Sequence, residues 1–199
     1  MTPKRWQLNM RPRELPFRRR LARASVALIY RRSEDDSVEL LFIQRARREG
    51  DPWSGDMAFP GGRMQPEDAT PRAAAERETL EETGVDLISH GHFQARLSDL
   101  ITRQHSRWRP MVITPYVYEW RGPQAVSPNH EVAQMVWISL DYLAAKENQS
   151  KLLWRTRLGT LKLPCCRYQG YCIWGLSYSM LQELLALDLE RGIIALSVK

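Results

Sequence analysis

Residues 59–85 constrain the fold more than any other part of the sequence, because one short stretch holds a glycine turn, a helix start and a helix stop. Thr70 is a favourable N-cap, and Pro71 falls at the first helical position, where its missing N–H costs nothing. Gly84 can take the left-handed conformation that ends a helix. These signals predict a helix over residues 71–83.

Three carboxylates of this helix are neighbours on one face, because Glu78, Glu81 and Glu82 stand at i, i+3 and i+4. Like charges at this spacing destabilise a bare helix, so they need either hydration or a cation. A hard divalent metal fits, since it takes carboxylate oxygens, waters and phosphates. A solvated acidic face is the alternative. The opposite face, with Ala73 and Leu80, is predicted to pack against a sheet.

The sequence RETLEETGV at residues 77–85 resembles the second half of the Nudix box, G-x5-E-x7-R-E-U-x-E-E-x-G-U, where U is a bulky aliphatic residue. Thr79 replaces the first aliphatic residue. In the first half, counted from Gly62, the acidic position is Asp68, and residues 69–76 put one extra residue before Arg77. This variation is similar to the coenzyme A pyrophosphatase branch of the Nudix hydrolases.

Two further segments resemble that branch. LFIQRA at residues 41–46 precedes a loop and FPGG at residues 59–62, and IWGL at residues 173–176 precedes a predicted helix. The loop carries Pro-Trp-Ser at residues 52–54, where the branch has a basic, histidine-containing stretch. The resemblance therefore spans residues 25–186. It implies the Nudix fold, an α/β (α+β) architecture with a mixed β-sheet sandwiched between α-helices.

Local patterns predict elements that agree with this fold. Apolar runs predict a buried strand and its hairpin partner before the helix, and a long strand after it that tolerates Pro115 at a bulge or edge. An amphipathic helix is predicted to close the chain at about residue 189. The predicted strands cover residues 25–30, 38–44, 86–97, 111–120, 133–140 and 158–163.

The resemblance also implies roles for individual residues. The three helix glutamates would bind Mg²⁺ or Mn²⁺, the carbonyl of Gly61 would add a ligand, and Arg77 would orient the carboxylate of Glu81, four residues later. One of these glutamates, or Glu131 in a later loop, would accept the proton of the attacking water. An exposed loop carboxylate is the alternative for Glu131.

Five arginines are candidates for binding the phosphates of a substrate: Arg45, Arg63, Arg103, Arg107 and Arg109. The last three lie in one loop with His105 and Trp108, where guanidinium forks and an indole face could hold a nucleotide. A solvated basic hairpin tip explains the same loop equally well.

The branch implies hydrolysis of coenzyme A or its derivatives to 3′,5′-ADP and 4′-phosphopantetheine. A broader nucleotide-sugar or nucleotide-pool hydrolase is the alternative within the class. A non-catalytic module that senses nucleotides or binds RNA is the alternative outside it, although all three helix glutamates are retained. We expect a small nucleotide substrate as the partner. Binding to nucleic acid or to a membrane is not expected, and the sequence is compatible with both a monomer and a homodimer.

Composition agrees with a single globular domain. The 199 residues, 43% of them hydrophobic, suffice for one substantial core, which we assign to residues 24–199. The net charge of +6 permits nucleic acid, an anionic membrane surface or a polyanionic small substrate as partner, and charge alone does not choose among them. Three cysteines, two of them adjacent, suggest neither a disulfide framework nor a zinc site, so we expect a reducing cytoplasm.

Residues 1–23 are rich in arginine, and Glu14 is their one acidic residue. No apolar region follows them, so a secretory signal is not expected. We interpret them as a basic N-terminal arm, with a mitochondrial transit peptide as the alternative. No apolar run approaches the roughly 18 residues that a membrane-spanning helix needs.

Overall fold

A computed structural model describes residues 12–33, 37–50, 53–103, 109–123, 127–156 and 159–191. Its elements are, in chain order, β1 Ala22–Arg32, β2 Val38–Arg45, β3 Met57–Ala58, β4 Gly61–Arg63, α1 Pro71–Thr83, α2 Leu87–His90, β5 Gly91–Arg96, β6 Leu100–Arg103, β7 Pro110–Trp120, β8 Val132–Ser139, α3 Leu140–Ala144, β9 Gln149–Thr156, β10 Gly159–Tyr168, β11 Tyr171–Trp174 and α4 Gly175–Arg191.

A mixed sheet forms the centre of the fold. Among the described residues it has eight strands, with the order β3-β2-β1-β7-β5, while β4 pairs with β1, β6 with β7 and β8 with β2. The central strands β1 and β7 are parallel, with Val26 opposite Pro115, and the other pairs are antiparallel. The predicted mixed sheet is therefore confirmed.

Helices cover both faces of this sheet. Successive side chains of a strand point to opposite sides, so one strand can contact a helix on each face. From β1, Leu28 joins a buried cluster with Leu184 of α4. The next residue, Ile29, joins a second cluster with Ala75 of α1. The sheet thus lies between α1 and α4, which confirms the predicted sandwich.

The predicted hairpin and the long strand are also confirmed. Strands β1 and β2 pair antiparallel with Arg31 opposite Glu39, and β7 covers the predicted residues. Pro115 lies inside the sheet rather than at its edge. It is tolerated because β7 changes partner there, from β6 to β5, and its carbonyl accepts a hydrogen bond from Leu97.

Two local predictions are wrong. Residues 86–97 are not one strand, because Asp86 accepts hydrogen bonds from the N–H groups of Ile88 and Ser89 and starts the short helix α2 before β5. Leu80 does not pack against the sheet and is 46% exposed. The side of α1 that meets the sheet is the one that carries Thr79 and Glu82, both of them buried.

A second sheet follows the first in the chain. Among the described residues it has three antiparallel strands in the order β11-β10-β9. Of the predicted strand at residues 158–163, residues 159–163 are part of the longer β10 and residue 158 lies outside the described residues; the partner strand β9 was not predicted. Ile173 and Cys166 pack into the cluster that contains α4, so this sheet shares the main core.

The described part of the N-terminal arm lies against the sheet. Strand β1 begins at Ala22, inside the predicted arm, and Asp99 fixes the residues before it. The carboxylate of Asp99 accepts hydrogen bonds from the N–H of Leu15 and from Arg18. The division between arm and domain stays a prediction. In the part of the chain that the structure describes, no helix is long and apolar enough to cross a membrane.

Candidate active site

Helix α1 has the limits that its caps predict. The Thr70 hydroxyl oxygen accepts a hydrogen bond from the N–H of Ala73 at 3.1 Å, and Pro71 occupies the first turn. Gly84 ends the helix in the left-handed conformation with φ 74°, and its N–H donates to the carbonyl of Leu80. The three glutamates are therefore held on a helix with two defined ends.

The two glycines before α1 allow close contacts that a side chain would prevent. A Cβ on Gly61, whose φ is +142°, would lie 2.2 Å from the carbonyl oxygen of Ser25 in β1. A Cβ on Gly62 would lie 2.4 Å from the carboxylate carbon of Glu78. The glycine pair thus brings the backbone of β4 directly against the Glu78 carboxylate.

Glu82 is the most buried of the three glutamates, with 6% of its surface exposed. Its Oε2 accepts a hydrogen bond from the N–H of Gly61 at 2.9 Å. Burial raises the pKa of Glu82 to about 7, because desolvation and the charges of Glu78 and Glu131 outweigh the Gly61 N–H and the Arg45 charge, which lower it. The positive groups of the protein therefore do not fully compensate the negative charge of the Glu82 carboxylate.

Arg77 connects the carboxylates around the helix. Its guanidinium binds Asp68 through two hydrogen bonds of 3.0 Å, contacts Glu78 at 2.9 Å and Glu81 at 3.2 Å, and donates to the carbonyl of Arg63. The predicted contact between Arg77 and Glu81 is present. Asp68 had no predicted role, although its place as the acidic residue of the box was a signal.

These contacts shift two carboxyl pKa values in opposite directions. The hydrogen bonds from Arg77 lower the pKa of Asp68 below its ordinary value, although burial opposes this. Burial raises the pKa of Glu78, and the hydrogen bond from Arg77 only partly offsets it. Asp68 is therefore a fixed anion paired with Arg77, whereas Glu78 and Glu82 are better suited to meet an added cation.

Glu131 lies in the loop before β8, next to the end of α1. The N–H of Asn129 in this loop donates to the carbonyl of Glu82, and the carbonyl of Glu131 accepts from Ala46. Glu131 is exposed, and its side chain forms a 3.0 Å ion pair with Arg48 that was not predicted. The loop thus brings a fourth carboxylate into the electrostatic field of Glu82.

The structure places some of the predicted arginines near these groups. Arg45 ends β2, and its charge acts on Glu82. Arg63 is exposed at the end of β4, and Arg109 is exposed just before β7. The side chain of Arg103 and the whole of Arg107 lie outside the described residues, as do His105 and Trp108. The arginine assignments stay predictions.

The donors present fit a hard divalent cation. Glu82 supplies a buried carboxylate and Glu78 a partly buried one, both with raised pKa values, and carboxylate oxygens suit Mg²⁺ or Mn²⁺. No group of three or more His, Cys, Asp or Glu side chains within the described ranges is already arranged as a metal site. Because Arg77 holds both Glu78 and Glu81, a bound ion would compete with Arg77 for these carboxylates.

Comparison with known proteins agrees with the fold and the box. The model of the NUDIX domain matches residues 21–155. The chain therefore belongs to the NUDIX domain family. This membership supports the predicted enzyme class, a hydrolase that acts on pyrophosphate bonds.

One curated relative is an uncharacterized protein, C14C4.10c, of Schizosaccharomyces pombe. It is 33% identical over 148 residues, which are 65% of this chain and 45% of the relative. The chain thus spans less than half the length of this relative.

Solved structures resemble the fold. A MutT/nudix family protein from Enterococcus faecalis has a TM-score of 0.57 at 16% identity, and the match covers 92% of this chain and 71% of that protein. The Ap4A hydrolase of C. elegans in a binary complex has a TM-score of 0.52 at 20% identity, and the match covers 64% of this chain and 89% of the hydrolase. The NUDIX domain of Shewanella oneidensis NrtR, complexed with ADP ribose, has a TM-score of 0.52 at 17% identity, covering 86% and 88%.

Proposed function

We propose that this protein is a divalent-metal-dependent pyrophosphohydrolase that cleaves a nucleoside diphosphate linked to another moiety. The observation that carries the proposal is the position of Glu82. A buried carboxylate with a pKa near 7 is held by the Gly61 N–H, and Glu78 and Glu131 act on it with charges of the same sign. Such a group is stabilised by a bound cation.

When bound, Mg²⁺ or Mn²⁺ would neutralise the diphosphate oxygens, which otherwise repel a nucleophile, and would help to activate water. Glu78, Glu81 and Glu82 would hold the ions, together with the carbonyl of Gly61. One of these glutamates or Glu131 would accept the proton of the water.

Arg77 has a positioning role in this proposal. It holds Glu81 and Glu78 from one side, and Asp68 fixes its own guanidinium. On the substrate side, the first candidates for binding phosphates are Arg45, whose charge acts on Glu82, and Arg63, whose carbonyl accepts a hydrogen bond from Arg77. Arg103, Arg107 and Arg109, which lie close together in the sequence, are the further candidates.

Coenzyme A or one of its derivatives is our proposed substrate, with 3′,5′-ADP and 4′-phosphopantetheine as products. The support is the resemblance of residues 41–46, 59–62 and 173–176 to the coenzyme A pyrophosphatase branch. One solved structure of similar fold is an Ap4A hydrolase and another is complexed with ADP ribose, so a broader nucleotide hydrolase is the second candidate.

The test is a substrate panel analysed by mass spectrometry. The protein is incubated with Mg²⁺ or Mn²⁺ and, separately, coenzyme A, ADP-ribose, NADH, dinucleoside polyphosphates and capped RNA. Release of phosphopantetheine supports the coenzyme A assignment, and cleavage of other members alone supports the broader hydrolase. Binding without metal-dependent cleavage of any member would overturn the enzymatic proposal.

A further inference from the structure

The segment that precedes β1, residues 13–21, is anchored to the main sheet by the buried carboxylate of Asp99. We call this segment the strap. Asp99 accepts hydrogen bonds from the N–H of Leu15 at 3.0 Å and from the guanidinium of Arg18 at 3.1 and 3.3 Å. At the start of the strap, the carbonyl of Arg13 accepts a hydrogen bond from the N–H of Asp99 at 2.9 Å. The strap is therefore tied down at three of its residues.

The backbone of the strap is strained between two of these contacts. Phe17 adopts the left-handed conformation with φ 59°, which a bulky side chain rarely takes, and its ring is 73% exposed. Such a conformation persists only where surrounding contacts enforce it. Because an exposed ring gains little from packing, we attribute the enforcement to the contacts of Leu15 and Arg18 on either side. The strap is thus a fixed part of the fold.

Asp99 also connects the strap to the glycine turn of the candidate active site. The hydroxyl of Thr114 in β7 donates a hydrogen bond to Asp99 at 2.7 Å. Thr114 lies beside Ser25 of β1, and Ser25 lies opposite Gly62 of β4. Residues in register on neighbouring strands project to the same face of a sheet, so one row runs from Asp99 to Gly62, where the Glu78 carboxylate lies.

The strap leads directly into the part of β1 that holds the glycine turn. Among the described residues, β1 is the only strand that pairs with β4, and Val26 lies opposite Gly61. The carbonyl of Arg23 accepts a hydrogen bond from the N–H of Met64 at 3.0 Å. The N–H of Gly61 in turn holds Glu82. The position of the glycine turn therefore depends on the first residues of β1, which follow the strap.

We propose that Arg18 and Asp99 are positioning residues: they hold the strap, and the strap keeps the glycine turn in the geometry that the box glutamates need for turnover. This inference rests on the proposed function, and it adds two residues that lie outside the box. When the strap is loosened, β4 can move relative to α1, so turnover falls while the fold persists.

The first test measures the order of the glycine turn in full-length, metal-free protein. Arg18→Met removes the hydrogen bonds to Asp99, whereas the matched control Arg19→Met removes the same charge from the exposed neighbour. Hydrogen exchange is followed by NMR at the N–H groups of Gly61 and Met64, with the amides of β10 as the reference for global opening. We expect Arg18→Met to speed exchange at these two amides by about five- to twentyfold, and Arg19→Met to leave it within about twofold.

The second test measures turnover of the best substrate of the panel. Arg18→Met should lower kcat by about three- to tenfold and leave KM within about twofold, since Arg18 is not proposed to touch the substrate. Arg18→Lys, which keeps a charged donor for Asp99, should recover part of the loss. Arg19→Met should change neither constant. If Arg18→Met does not fold, Thr114→Val replaces it, because it interrupts the row between the strap and the glycine turn.

Three results would overturn the inference: unchanged exchange at Gly61 and Met64, an equal increase at the β10 amides, or faster exchange at the glycine turn with an unchanged kcat. The second of these would mean that Arg18 contributes only to global stability. If the wild type hydrolyses no member of the panel while Arg18→Met still speeds exchange at the glycine turn, the proposed function fails and the coupling of the strap to the turn stands.

Discussion

The carboxylate of Glu82 accepts a hydrogen bond from the backbone N–H of Gly61 at 2.9 Å, and this contact joins the last turn of α1 to the glycine turn before it. Two segments that are separated along the chain by a loop and three helical turns therefore form one rigid unit. The contact also orients Glu82 while leaving its second oxygen available to a ligand.

Replacing Glu82 with Gln should lower kcat by about 10²- to 10⁴-fold without unfolding the protein. The amide oxygen of Gln can still accept the Gly61 hydrogen bond, but it carries no charge for a cation. Steady-state kinetics and thermal unfolding measure the two effects. The control Glu67→Gln changes the same charge at an exposed position before α1 and should leave both unchanged. Near-normal turnover of Glu82→Gln would refute the assignment of Glu82.

The adjacent glycines should respond differently to alanine. In Gly62→Ala the new Cβ meets the end of the flexible Glu78 side chain, which can move away, so activity should fall while the fold persists. In Gly61→Ala the Cβ meets the backbone of Ser25 at a φ that disfavours alanine, so the free energy of unfolding should drop by about 1–3 kcal/mol. Urea denaturation and kinetics on both variants separate these outcomes. Equal losses of stability in the two variants would contradict the different contacts described for Gly61 and Gly62.

Asp68→Asn should reduce both stability and activity, because it leaves the Arg77 guanidinium without its bidentate partner. We expect a loss of about 2 kcal/mol in the free energy of unfolding, measured by urea denaturation. A smaller fall in kcat than that of Glu82→Gln should accompany it, since Arg77 acts through Glu78 and Glu81. The control is Glu119→Gln, which weakens the ion pair with Arg121, whose side chain is 60% exposed, and should lower stability much less. If Asp68→Asn changed neither the free energy of unfolding nor kcat, the proposal that Asp68 holds Arg77 in a positioning role would be wrong.

The stability of the fold should decrease at acid pH partly because of Asp99. Burial raises the pKa of this carboxyl, but hydrogen bonds from the Leu15 N–H, Thr114 and Arg18, with the charge of Arg96, outweigh it and lower the pKa below its ordinary value. The stabilisation is therefore present above the unfolded-state pKa of about 3.9 and is lost as the pH falls through the lower folded-state value.

Urea denaturation of the wild type and of Asp99→Asn between pH 7 and pH 3 tests this prediction. The difference in free energy of unfolding should be largest at pH 7, about 3 kcal/mol, and should shrink toward pH 3. A difference that is independent of pH would show that Asp99 contributes through packing alone.

The sequence correctly predicted those parts of the structure that depend on residues close together in the chain. Thr70, Pro71 and Gly84 determine the limits of α1 through contacts within a few residues, so its bounds could be read directly. The spacing of the box also predicted the contact of Arg77 with Glu81. Leu80 was assigned to the wrong side because hydrophobicity suggested burial there, whereas the sheet packs against the side that carries Glu82.

Contacts between distant segments could not be predicted in this way. The ion pair of Arg48 with Glu131 joins two loops, and its formation depends on how β2 and β8 pair. The contact of Trp174 with Asp56 likewise depends on how the second sheet docks against the first. Neither has a spacing that a single sequence reveals.

The parallel pairing of β1 with β7 has a consequence for how this protein folds. The hairpin β1–β2 can form from neighbouring residues, but the register of Val26 with Pro115 brings together segments far apart in the sequence. The entropy of closing so long a loop is lost before the pair gains its hydrogen bonds. We therefore expect the joining of these two central strands to limit the folding rate. Helix α1, which lies between them in the chain, would then acquire its final surroundings only at a late step.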